Sequence, residues 1–349
     1  MHIIGSRTSG GAERFYSRLA IGLHARACTV LAVNPARSAV ALEIADAAPQ
    51  HHIRMRNVWD PLARWQLKRL IAREQPRIVQ TYMGRATRLV NLPANGPSIH
   101  IARLGGFYDV KGYQHAHAWV GNTRGICDYL VNAGLPSDRI FHISNFVDPV
   151  DNTVLRSEHF RTQHNIAADS AIVLFVGRLH PNKGVSDLLN AFSILRKKQL
   201  PRRAHLVIVG DGPLQAELHA QATQLGLHES MTWAGWVDRP EVYYANADLF
   251  VCPSVHEPLG NVVLEAWAHA LPVVATRSQG PLEIIENETD ALLVDISEPH
   301  NIADGIASLI REGRVVSRDM GEAGLKKLRE KYSADVIIGA YKQLYDSFR

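Results

Sequence analysis

HEPLGNVVLEA, spanning His256–Ala266, follows the apolar run Asp248–Pro253 (DLFVCP), and together they read as strand, turn and helix. The run has the unbroken apolar character of a strand buried on both faces. Ser254–Pro258 makes the turn, and a helix starts near Gly260. Backbone N–H groups from about Leu259 to Val262 precede any intrahelical acceptor, and such an end attracts anions. Glu257 stands on the turn, and Glu265 lies about two helical turns further on. Phosphate on the amides, with carboxylates beside it accepting hydroxyl hydrogen bonds, suits a phosphorylated sugar. Alone, the spacing of the two acids also fits a capped helix with surface glutamates, since acids favour first turns. The flanking sequence carries the decision.

Upstream of this stretch, Ala171–Val176 (AIVLFV) is a second buried strand, and its loop GRLHPNKG leads into a helix over Val185–Lys197. Leu206–Val209 with the turn GDGP, a helix over Leu214–Gln224, Thr232–Gly235 and a helix over Pro240–Ala245 follow. Downstream come Pro272–Thr276 (PVVAT), a helix around Leu282–Glu286 and Ala291–Val294. Strands alternating with helices predict a doubly wound parallel sheet, whose ligands lie outside the strand C-termini. Gly210-Asp211-Gly212-Pro213 lacks the last glycine of a dinucleotide fingerprint, Gln215 standing in its place, so it reads as a turn.

The first half opens the same way. His2–Gly5 is a short strand, its loop reads SRTSGGAE, and a helix follows with Phe15, Leu19 and Leu23 at helical spacing. Gly10 and Gly11 would let backbone approach a phosphate closely. Without a following Lys-Ser/Thr pair the loop is no P-loop, which argues against nucleotide hydrolysis. Thr29–Val33 reads as the second strand. Asp60-Pro61 opens a helix through Glu74, with Leu62, Trp65, Leu70 and Ile71 as inward candidates and Arg64, Lys68, Arg69 and Arg73 outside. That helix suits packing on a sheet or lying on a membrane surface. Arg77–Tyr82, Ser98–Leu104, Ala118–Gly121 and Ile140–Ser144 complete a second α/β set. The domains are placed at 1–160 and 161–330, with an amphipathic closing helix in 331–349 carrying Tyr341, Leu344, Tyr345 and Phe348 on one face.

With 349 residues, two domains are the natural division. No apolar run reaches the length of a transmembrane helix, and the first residues do not read as a signal peptide. Cys28, Cys127 and Cys252 lie in apolar surroundings without a C-x-x-C pair, so reduced core thiols and a cytoplasmic chain are expected. Charge divides unevenly: 18 Lys and Arg against 9 Asp and Glu up to Val150, then 20 against 25. A basic first half points to an anionic partner. Nucleic acid lacks a recognition motif here, whereas an anionic membrane face or a phosphorylated acceptor suits the charge.

Arg178 and Lys183 share the loop after Ala171–Val176, with Gly177 beside them. Two cations on such a turn can hold a diphosphate and stabilise it as it leaves; a solvated loop with incidental charges is the alternative. At this point the motifs combine. FVGRLHPNKG, IVGDGP, AGWV, HEPLGNVVLEA, PVVAT and GPLEII in this order, with GGAE near the start, NFVD mid-chain and EKYSADVIIGAYKQLY at the end, resemble the retaining glycosyltransferases of family 4. The resemblance covers nearly the whole chain. It implies the GT-B fold, two Rossmann-like domains facing across a cleft with the last helix crossing back to the first.

Carried over by motif, Arg178 and Lys183 grip the donor diphosphate, and Glu257 faces the hydroxyls of the transferred sugar as a positioning group. Gly177, Leu259, Gly260 and Asn261 line the donor, Glu265 holds the ribose, and backbone near Trp236-Val237 borders the base. Gly10 and Gly11 close on the phosphates. The resemblance implies no cofactor and no divalent metal. The donor it implies is a nucleotide-diphospho-sugar, with UDP preferred over GDP or ADP. The acceptor expected is a hydroxyl of a lipid-linked or lipopolysaccharide-core glycan, reached by a cytoplasmic enzyme touching an anionic membrane. Where relatives place a histidine after the strand matching SIHIARL, this chain has Arg103-Leu104-Gly105-Gly106. Arg103 and His115 are therefore the acceptor candidates, with His100 and His117 as substitutes. A nucleotide-sugar epimerase on the same fold and a non-catalytic binder of anionic polymers are the rival readings; product analysis without acceptor separates the first, and absent nucleotide affinity would mark the second.

Overall fold

The computed structural model describes residues 1–8, 10–311 and 313–348, with only the backbone described at 313–316. The chain forms two units, Met1–Phe146 with Ala334–Arg349, and Val147–Ser333. Each is built on one parallel sheet. In the first, β1 (His2–Ile4), β2 (Ala32–Asn34), β3 (Gln50–His52), β4 (Ile78–Tyr82), β5 (Ile99–Leu104), β6 (Ala118–Gly121) and β7 (Ile140–His142) lie in the order β3-β2-β1-β4-β5-β6-β7. In the second, β8 (Ala171–Val176), β9 (Ala204–Val209), β10 (Met231–Gly235), β11 (Leu249–Cys252), β12 (Val273–Thr276) and β13 (Leu292–Val294) lie in the order β10-β9-β8-β11-β12-β13.

Strand order reverses between β1 and β4 in one sheet and between β8 and β11 in the other. Such switch points leave a crevice beyond the strand C-termini. β8 and β11 are paired directly, Leu249 opposite Val173 and Phe250 opposite Leu174. The loop GRLHPNKG and the turn before HEPLGNVVLEA therefore leave neighbouring strands at the switch point of unit 2.

Alternate residues of the central strands supply opposite faces of the core, as period-two geometry requires. Val173, Phe175, Ile208, Leu249 and Val251 pack on one side, whereas Ile172, Leu174, Val207, Phe250 and Cys252 pack on the other. Both faces are covered by helices, which is why these strands carry so few polar residues. No disulfide joins the cysteines among the described residues.

The helix Ala334–Asp346 buries Ile337, Ile338, Tyr341 and Leu344 in the core of the first unit, against Phe15, Leu19 and Tyr82 among others. The expected domain edge at 160 lies inside the second unit. Val147 N–H donates to Tyr332 O and Val150 N–H to Ala268 O, and Phe160 joins the second unit's core. The second strand is Ala32–Asn34 rather than Thr29–Val33. The helix Gln279–Ile284 begins before Leu282.

One helix corrects the sequence reading of its face. Pro61–Glu74 forms as expected, with Asp60 as N-cap accepting from Ala63 N–H. Its buried stripe, however, is Ala63, Leu67, Leu70 and Ile71. Leu62 is 51% exposed and Trp65 55% exposed, and Trp59 just before the cap is 78% exposed. The cap sets the register, and the spacing of positions 63, 67, 70 and 71 then turns Leu62 and Trp65 to solvent. Arg69 lies over the Trp65 ring, 5.5 Å from its centroid.

Candidate active site

Lys183 and Glu257 come together in unit 2. They reach one another from different loops, and the two loops are stitched by backbone. His256 N–H donates to Asn182 O at 3.1 Å. Gly184 sits at φ 63°, and a Cβ there would lie 2.0 Å from the carbonyl oxygen of Pro253. From the other side, Gly280 N–H donates to Glu257 O at 2.7 Å, and Thr276 Oγ1 donates to Ser254 O at 2.6 Å. The turn between β11 and the helix Asn261–Ala268 is therefore clamped on both flanks.

Lys183 Nζ forms an ion pair with Glu257 Oε2, and Ser254 Oγ donates to the same oxygen at 3.3 Å. Glu257 is 8% exposed. Burial by itself would lower the Lys183 pKa, but the Glu257 carboxylate, by charge and hydrogen bond, outweighs it; with smaller help from Cys252 and Glu265 the pKa is raised. Lys183 is thus a fixed cation at neutral pH. Beneath it, burial pushes the Cys252 thiol up to about 11, which leaves it a neutral packing group.

Gly260 caps the helix in the left-handed region, and the first-turn amides follow Leu259, which is buried. Glu265 is half-buried on the flank of this helix and accepts from Tyr244 Oη at 3.0 Å. Gly177 N–H donates to Val209 O at 3.0 Å and Leu179 N–H to Asp211 O at 2.7 Å, so the GDGP turn braces the loop that bears the cations. Arg178 is exposed on that loop and makes no ion pair among the described residues. Val237 is half-buried after β10, next to the exposed Trp236.

The remaining candidates belong to unit 1. Gly10 and Gly11 open the helix Gly11–Ala25, as the loop reading anticipates. Glu13, unremarked in the sequence, is buried there and accepts from Ser6 Oγ at 2.6 Å. Arg103 does not fit the expectation of an acceptor contact. It is 2% exposed, its guanidinium lies 3.9 Å from the Phe15 ring centroid, and it donates to Asn145. A β5 side chain at that place points toward Phe15, whose ring face and the Asn145 amide meet part of its guanidinium, while its Nε is buried without an acceptor among the described residues. His100 is fully buried against Thr81, and His117 accepts from His100 N–H, so both are structural. His115 Nε2 lies 2.8 Å from Thr87 O and 2.9 Å from Val90 O. Ser254 and Tyr244, which orient the two glutamates, were missed; only the short spacing of Ser254 to Glu257 hinted at either.

Family models match both halves of the chain, "Glycosyltransferase Family 4" over residues 9–151 and "Glycosyl transferases group 1" over 156–327. A lipopolysaccharide core biosynthesis glycosyltransferase of Rhizobium meliloti, LpsE, is 32% identical across 97% of this chain and 96% of its own. The chain belongs to glycosyltransferase family 4. A second Rhizobium meliloti protein of the same description, LpsD, is 29% identical over the same shares of both chains. Among solved structures, Anabaena HepE in complex with UDP and glucose superposes with a TM-score of 0.82 at 19% identity, covering 99% of this glycosyltransferase and 98% of HepE. The two sheets of this glycosyltransferase are thus the GT-B architecture. No helix among its described residues is long and apolar enough to cross a membrane.

Proposed function

We propose that this glycosyltransferase moves a hexose-type sugar, with retention of configuration, from a nucleotide-diphospho-sugar to a hydroxyl of a lipid-linked or lipopolysaccharide-core glycan. The observation that carries the reading is the Lys183–Glu257 pair, locked by two backbone clamps at a switch point and set before a helix N-terminus. That arrangement offers fixed positive charge to a diphosphate and a fixed carboxylate to sugar hydroxyls. The relatives named for lipopolysaccharide core biosynthesis, and the UDP and glucose held by HepE, support the acceptor and donor classes.

In this mechanism Arg178 and Lys183 bind the diphosphate, with the amides of Leu259, Gly260 and Asn261 beside them. Negative charge grows on the departing nucleoside diphosphate, and these groups stabilise it where it grows. The sugar becomes oxocarbenium-like, and Glu257, held by Lys183 and Ser254, positions its hydroxyls. Glu265 accepts from the ribose hydroxyls, and backbone at Val237 borders the base, with UDP preferred. The acceptor hydroxyl attacks on the face the leaving group vacates and passes its proton to a leaving phosphate oxygen, so no side chain is assigned as base. Positive charge comes from the protein rather than from a divalent ion. The exposed Leu62 and Trp65 beside Lys68 and Arg69 support peripheral contact with an anionic membrane.

The test is a thermal-shift series with UDP-, GDP- and ADP-sugars, since a ligand bound only by the folded state raises Tm. A rise with the UDP-sugar is expected, diminished in Arg178→Ala and Lys183→Ala. Donor turnover should fall about a hundredfold or more in Lys183→Ala and persist in EDTA. Wild-type turnover in these variants would remove the assignment, and a strict divalent requirement would remove metal independence.

A further inference from the structure

A second hollow, in unit 1, has the chemistry of a phosphate-ester site. About 320 Å³ in size, it is lined by Trp59, Arg64, Arg88, Lys111, Gly112 and His115, with Val58. These residues sit in or just beyond the connections that follow β3, β4 and β5.

Three cations face one hollow. Arg64 Nη2 donates to Arg88 O at 3.3 Å, which ties the two chains together without neutralising either. Asp109 is the facing acid, 3.8 Å from Arg88 Nη2, and its other oxygen accepts from Lys111 N–H. Asp60 contributes little, because both its oxygens accept from backbone, Arg56 N–H and Ala63 N–H. Arg88 Nε is buried with no acceptor. Gly112 makes room for that group: a Cβ there would lie 2.3 Å from Arg88 Nε. Converging like charges are costly unless an anion completes them. At the rim stands the indole of Trp59, 78% exposed, its backbone N–H fixed by Asn57 Oδ1 at 2.8 Å. Such a ring offers a flat apolar face beside a wet edge.

We infer that this hollow binds the phosphate ester of a phosphorylated saccharide, with Arg64, Arg88 and Lys111 on the phosphate and Trp59 against the sugar ring. The inference deepens the acceptor reading and rests on it only for the saccharide. A phosphate alone would make no use of the indole, and a lipid headgroup would engage the outer Trp65 and Leu62 instead.

The experiment is isothermal titration of the full chain, at fixed ionic strength, with glucose 6-phosphate, glucose and inorganic phosphate as probes. Glucose 6-phosphate is expected to bind at least about tenfold more tightly than glucose, a gain that Lys111→Gln and Arg88→Gln each remove. Trp59→Ala should erase the preference for glucose 6-phosphate over inorganic phosphate. Lys111 is exposed, so its variant reports binding even if Arg88→Gln folds poorly. Unchanged glucose 6-phosphate affinity in Lys111→Gln overturns the site, as does competition by UDP, which would place the probe in unit 2. Binding to phosphatidylglycerol vesicles with no response to glucose 6-phosphate overturns it in favour of a membrane surface. UDP is titrated separately: glucose 6-phosphate binding without UDP binding would defeat the donor reading and leave this site standing.

Discussion

The Glu257 carboxylate raises the Lys183 pKa against the effect of burial, and Lys183 supplies the buried Glu257 with its counter-charge. Removing one partner strands the other, whereas removing both leaves a smaller penalty. Lys183→Ala is therefore expected to destabilise the unliganded protein by about 1–3 kcal/mol, and the double variant Lys183→Ala/Glu257→Gln by less. Thermal melts without ligand decide: a double variant less stable than Lys183→Ala would mean that the pair is not what orders these loops. The two residues were each legible in the sequence as members of separate motifs. Their direct contact was not, because it depends on the pairing of β8 with β11 and on backbone bonds between loops more than seventy positions apart. Arg103 shows the converse. Its place after a strand suggests a ligand contact, and its burial against Phe15 and Asn145 becomes visible only in the fold.

At the level of elements, long apolar runs were read correctly because burial on both faces leaves little else for the sequence to say. AIVLFV and DLFVCP each contain a central strand. The polar strand Gln50–His52 was not read. It is an edge strand without apolar alternation, held by Asn34, which donates to Gln50 and approaches His52. The helix Pro61–Glu74 is announced by its cap, yet two of its four inward candidates, Leu62 and Trp65, face solvent, since bulk and hydrophobicity alone do not set rotation about an axis. The short helix Gln279–Ile284 carries a close-approach requirement of its own. A Cβ at Gly280 would lie 2.2 Å from Leu259 O, backbone against backbone. Gly280→Ala should cost about 1–3 kcal/mol and weaken nucleotide-sugar binding as the Glu257 turn shifts. Urea unfolding with and without donor measures both; an unperturbed midpoint would show that the turn yields freely.

Across the whole molecule, buried histidines set the response to acid. Burial lowers His100 to about 3, with repulsion from His115 and His117 adding to it. Burial lowers His269 to about 4, and His205 to about 4 with a contribution from Arg161. Each stays neutral in the fold while its unfolded counterpart takes a proton near pH 6.5. The unfolded state thus binds more protons as pH falls, and stability is lost from about pH 6.5 downward to pH 4, by up to ~1.4 kcal/mol per pH unit for each histidine. Calorimetry across that window checks it: a Tm constant from pH 6.5 to 4.5 would contradict the burial of these rings.

The return of Ala334–Asp346 to the first unit has a consequence for how the protein is made. Ordinarily the leading domain matures while the ribosome is still translating what comes after. Here the leading sheet waits for Ile338 and Tyr341, which are synthesised after Ser333, whereas Val147–Ser333 is contiguous and can be finished earlier. Nascent chains halted after Ser333 should yield a protease-resistant later portion and a susceptible earlier one, so the order of maturation on the ribosome runs against the order of translation.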